Sequence, residues 1–116
     1  MAKTKIDAVS FTGRSGSAYQ FRIYVWDTRF KALPGVYLVA SRSIDPGEQA
    51  QYTPLFVGAA EDLSKALRQH ARSDCFQLHY GNVIGVLKET DTGTREQIAA
   101  DLIGALNPPC NAADAD

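Results

Sequence analysis

A chain of 116 residues suffices for one compact domain and not two. Hydrophobic residues make up 45% and charged residues 22%, the balance of a globular protein rather than a disordered one. A net charge of −1, a pI near 6.1 and no apolar run approaching the ~20 residues of a membrane helix speak against bulk attraction to nucleic acid and against a membrane span.

The first residues, "MAKTKID", form a polar lead-in without the apolar centre of a signal peptide, so the expected setting is the cytoplasm, with no membrane partner. In "AVSFTGRSGSAYQFRIYVW", Val9 and Phe11 alternate with polar neighbours, as do Tyr19, Phe21, Ile23 and Val25 further on. Gly13-Arg14-Ser15-Gly16 stands between them, which predicts a β-hairpin. Trp26 and the ring-bearing residues Tyr19, Phe21 and Tyr24 read as packing residues of that hairpin, with stacking on bases as the alternative.

"DTRFKALP" is a connector, "GVYLVASR" an apolar strand and "LFVGA" a second one; positions 43–54 between them read as a long loop around Asp45-Pro46-Gly47. From Glu61 to Arg72 the pattern is helical. At ~100° per residue Leu63, Ala66, Leu67 and His70 share one face, and Lys65, Arg68 and Arg72 the other. "NVIGVLKET" is a third core strand closed by the turn "DTGT". "TREQIAADLIGAL" is a helix with Thr94 and Gln97 at capping-box spacing, and Ile98, Ala99, Leu102, Ile103 and Leu106 as its buried stripe. Asn107-Pro108-Pro109 stops it, and residues 112–116 form an acidic tail. Cys75 and Cys110 lack metal-ligand spacing and are too few for a disulfide framework, so two free thiols are expected.

Taken one at a time, the reactive residues have ordinary explanations. Tyr37 belongs in a strand core, His70 sits beside leucines, and Glu96 suits the first turn of a helix. Their order along the chain is more specific. Gly35-Val36-Tyr37, Phe56-Val57-Gly58, Asp62-Leu63, His70, Glu96 and Asn111 resemble the layout of the GIY-YIG nuclease domain over residues 33–111.

The resemblance implies an α/β (α+β) fold with a three-stranded antiparallel core sheet flanked by helices. The N-terminal hairpin, residues 1–30, is then an extension to a domain at 31–111. It further implies cleavage of DNA by one Mg²⁺ or Mn²⁺ ion held at Glu96, water activated near Tyr37, and His70 and Asn111 assisting. Gly35 and Gly58 are its motif glycines. Two positions depart from the pattern: the second motif's tyrosine is Phe56, and the helix position for a phosphate-facing arginine is Ala66. Losing one such donor typically costs roughly 100- to 1,000-fold in rate. Arg42, Lys88 and Arg95 are the cations outside that helix that would have to substitute. The sequence therefore leads to a catalytically impaired binding module, DNA or a protein being its partner. A functioning endonuclease, or a homodimer formed through the hairpin edge, are the alternatives.

Overall fold

The computed structural model describes residues 5–26, 28–69 and 74–114. Five strands form one sheet: β1 (Asp7–Thr12), β2 (Ala18–Val25), β3 (Gly35–Ile44), β4 (Ala50–Ala60) and β5 (Val83–Lys88). Their spatial order is β1-β2-β5-β3-β4, and every neighbouring pair is antiparallel. The three strands expected as a core, β3, β4 and β5, are adjacent. The hairpin is not an appendage beside them, because β2 pairs with β5 from Arg22↔Val86 to Val25↔Val83 and makes the sheet continuous. The architecture is mixed α/β with a five-stranded sheet in place of the expected three.

The period-2 alternation assigns residues to the two faces. On one face Phe11, Phe21, Ile23, Val36, Leu38, Ala40, Val57 and Val83 pack against Ile98, Ala99 and Leu102 of α3 (Thr92–Leu106). On the other, Tyr37, Val39, Leu55 and Phe56 pack with Leu63 of α1 (Leu63–Gln69), Phe76 of α2 (Asp74–Leu78) and Cys110 of α4 (Pro109–Asp114). Leu55 and Phe56 are sequence neighbours, yet they join the same cluster. A register shift opposite Val39/Ala40 carries the pairing from Phe56 directly to Pro54, so Leu55 is the extra residue of a bulge. Pro54, which has no N–H to give to a ladder, stands beside that irregularity.

Three further expectations are corrected. Positions 43–54 are not a long loop. β3 and β4 continue through Arg42↔Tyr52 to Ile44↔Ala50, leaving a five-residue turn at 45–49. The turn closes because the Asp45 carboxylate accepts from the Gln49 N–H (2.9 Å) while Glu48 takes a left-handed φ of 66°. "DTGT" is not a free turn before a Thr94 capping box. Asp91 is the N-cap of α3, its carboxylate accepting from the N–H and the hydroxyl of Thr94, both at 2.8 Å. The cysteines are not free thiols: Cys75 and Cys110 form a disulfide with Cα atoms 5.8 Å apart. Their separation of 35 residues gave no hint of this; the packing of α2 on α4 creates it.

α3 ends as the sequence predicts. Asn107 adopts a left-handed φ of 49° and donates its N–H to the Ile103 carbonyl, and Pro109 then opens α4. That helix takes in the first residues of the expected tail, Ala112–Asp114. No helix among the described residues is long and apolar enough to cross a membrane.

Candidate functional site

The first two motifs do converge. Tyr37 on β3 pairs in register with Gly58 on β4, and its ring stacks on Phe56 with centroids 5.7 Å apart and planes inclined by 29°. Gly58 is glycine for lack of room: a Cβ there would lie 2.7 Å from both Cζ and the hydroxyl oxygen of Tyr37, and 2.9 Å from Phe56. Gly35 is glycine for the same reason, since a Cβ would come within 2.6 Å of the Leu87 carbonyl oxygen. Ala66 of α1 packs on the edge of this cluster. Tyr37, at 5% exposure, is thus a packed core ring whose phenol end overlies the second-motif glycine.

Asn111 is also close, and its side chain is engaged. Its amide oxygen accepts from the Val57 N–H and its amide nitrogen donates to the Val57 carbonyl, each at 2.9 Å. Val57 is buried, so these bonds satisfy two backbone groups that water does not reach. Asn82 treats Arg42 alike, accepting from its N–H (2.7 Å) and donating to its carbonyl (2.9 Å).

Glu96 stands apart from these residues. It is exposed on α3, and the inward residues of that helix, Ile98, Ala99 and Leu102, pack on the face opposite Tyr37. No group of three potential metal ligands among the described residues includes Glu96. His70 and Arg72 lie outside the described residues.

The cations that might replace the missing arginine are disposed differently from one another. Arg95 is 3% exposed and donates to the carbonyls of Glu89 (3.2 Å) and Thr90 (3.0 Å) and to the Thr92 hydroxyl (3.1 Å), fastening the start of α3. Arg42 donates to the Tyr52 hydroxyl (3.0 Å), which in turn donates to Asp7 (2.7 Å). That hydrogen bond holds the Asp7 carboxyl below its ordinary range, and burial raises the Tyr52 phenol. Lys88 lines a cleft.

That cleft carries a signal the motif reading missed. The Tyr37 face is covered by helices only over its β3–β4 half. Over β1, β2 and β5 the outward residues Ala8, Gln20, Arg22, Tyr24, Val86 and Lys88 line an open cleft of about 410 Å³, with Lys5 and Lys31 at its margins. A second cleft, about 580 Å³, adjoins it through the shared Phe30 and includes Trp26, Arg29 and Arg68. Neither contains a carboxylate among the described residues that line it. Beside the second cleft, the Asp62 carboxyl is held below its usual range chiefly by the Ser64 hydroxyl, Arg68 being the smallest of the causes. Tyr24 and Phe30 meet edge to face at 5.2 Å, so the floor is aromatic as well as basic.

A pattern in the sequence did carry this surface. Phe21 and Ile23 point into the core, so Gln20, Arg22 and Tyr24 must point out, and the register sets Arg22 beside Val86 and Tyr24 beside Ile84. The net charge of −1 concealed it, because six of the 12 lysines and arginines gather here while Asp91 and Asp101 stand on α3 behind the sheet. No family model, no curated protein and no solved structure matches this chain.

Proposed function

We propose that this chain is a GIY-YIG-like scaffold without a working catalytic set, and that it binds single-stranded nucleic acid across the open half of its sheet. One observation carries the reading: six cations and three aromatic residues, Tyr24, Trp26 and Phe30, line two adjoining clefts with no carboxylate among the described lining residues. Cations along a cleft follow a phosphate backbone, and rings reached from a cleft accept unstacked bases; Tyr24, Trp26 and Phe30 are each half-buried. An open sheet face suits splayed single strands better than a duplex, whose bases are turned inward. The catalytic positions support the non-catalytic part of the reading. Phe56 has no hydroxyl, Ala66 no charge, Tyr37 is packed, and Glu96 is on a helix that packs behind the sheet.

The test is fluorescence anisotropy of a labelled oligothymidylate at several salt concentrations. With four to six phosphates engaged, log K is expected to fall against log salt with a slope of roughly −3 to −4. Arg22→Ala with Lys88→Ala is expected to flatten that slope, and Tyr24→Ala to weaken binding by about 5- to 100-fold, the worth of one stacked base. Absence of salt-dependent binding would refute the nucleic-acid reading. Nicking of supercoiled plasmid in Mg²⁺ or Mn²⁺ by the wild type, lost in Glu96→Ala, would refute the non-catalytic one.

A further inference from the structure

We propose that the chain, once reduced, binds one zinc ion through Cys75, His79 and Cys110, and that the disulfide is the metal-excluding form of the same site. The ligand atoms of these three side chains all lie within 4.8 Å of one another, and they are the one group of three potential ligands found among the described residues. The fold assembles them from two short helices. Cys75 is in the first turn of α2, and the His79 N–H donates to the Cys75 carbonyl at 3.2 Å. One helical turn therefore separates them, and i, i+4 residues share a face. Cys110, 1% exposed, comes from the start of α4. The disulfide accounts for the two sulfurs but not for an imidazole standing against them.

Two thiolates and an imidazole are the donor set of zinc rather than of magnesium or calcium, which take oxygen ligands. At zinc–sulfur distances of about 2.3 Å, tetrahedral geometry puts the sulfurs about 3.7 Å apart, within reach of Cys75 and Cys110 through side-chain rotation from Cα atoms 5.8 Å apart. A fourth position is left for water or an added ligand. The chemistry balances. A dithiol reductant gives two electrons and two protons to the Cys75–Cys110 bond, which breaks to two thiols while the dithiol closes to its own disulfide. Zn²⁺ then displaces the two thiol protons, so its affinity rises with pH.

The experiment uses the full chain reduced with a dithiol, desalted without oxygen, and titrated with Co²⁺ and then Zn²⁺. The expected result is one Co²⁺ per chain, a sulfur-to-cobalt charge-transfer band in the near ultraviolet, displacement by Zn²⁺, and no uptake by the oxidised chain. His79→Ala, whose side chain is no part of the core, is expected to lower affinity by more than about 100-fold with an unchanged far-ultraviolet spectrum, since even outer partners of a metal ligand are worth 10- to 100-fold. No uptake by the reduced wild type, or equal uptake by His79→Ala, overturns the proposal. Should reduction unfold the chain, Zn²⁺ is expected to restore the native spectrum, and failure to do so overturns it equally.

Discussion

The two halves of the sheet handle the same alternation differently. Over β3 and β4 both faces are covered, and the outward residues of an ordinary strand have become a second core: Tyr37, Val39 and Phe56 under α1, α2 and α4. Over β1 and β2 only the α3 face is covered, and Gln20, Arg22 and Tyr24 remain in contact with water. A tyrosine or a glycine in the covered half is explained by packing before chemistry is invoked, whereas a cation in the open half has no packing to explain it. Packing thus accounts for the motif residues Tyr37 and Gly58 and leaves the cations of the open half unaccounted for.

Substitutions in the two halves should separate along this line. Leu38→Ala, in the covered half and 0% exposed, is expected to lose about 3 kcal/mol of stability in denaturant unfolding, with binding per folded molecule unchanged. Gly58→Ala should cost about 1–3 kcal/mol, because the new methyl meets the buried Tyr37 ring. A cost near zero would show that Tyr37 moves freely, and would revive it as an accessible group. Arg22→Ala is expected to change stability by less than about 0.5 kcal/mol while weakening oligonucleotide binding, and the opposite pattern would erase the distinction between the halves. Acid adds a further probe, of the seam between the hairpin and α3. The Asp101 carboxylate accepts from the Ser15 hydroxyl (2.7 Å), the Tyr19 hydroxyl (2.8 Å) and the Ser15 N–H (2.8 Å), and these bonds hold its pKa below the ordinary 3.8. A depressed carboxyl stabilises the fold above its unfolded pKa, and that contribution fades as pH falls from about 3.8 through the lower folded value. Asp101→Asn should flatten this acid limb in a thermal-melt series from neutral pH to pH ~2.

Much of the fold was legible because it rests on local pattern. The N-terminal hairpin, the apolar centres of β3, β4 and β5 in "GVYLVASR", "LFVGA" and "NVIGVLKET", and the helix around Leu102 all declare themselves by pattern. What escaped was set by partners distant in sequence. The long β3–β4 hairpin looked like a loop because Pro54, Gly47 and Asp45 each suggest a break, whereas a bulge and a five-residue turn accommodate all three. Asp91 was overlooked as a cap because it sits in a turn-like string, and aspartate there serves a helix N-terminus as well as threonine. The disulfide needs α2 against α4, a contact between short helices that no periodicity announces. Tyr37, Phe56 and Gly58 lie together because β3 and β4, neighbours in sequence, pair in register. The basic surface required knowing which strand face lacks a helix, and a net charge averages that away.

The paired hydrogen bonds of Asn111 complete the outer edge of the sheet from within the same chain. β4 is the outer strand of the sheet, and Val57 turns its N–H and carbonyl outward to the Asn111 amide. A side chain there stands in for a neighbouring strand. Asn111→Ala would leave the Val57 N–H and carbonyl, buried between the sheet and its helices, without partners on that side, a loss expected to cost about 1–3 kcal/mol in denaturant unfolding.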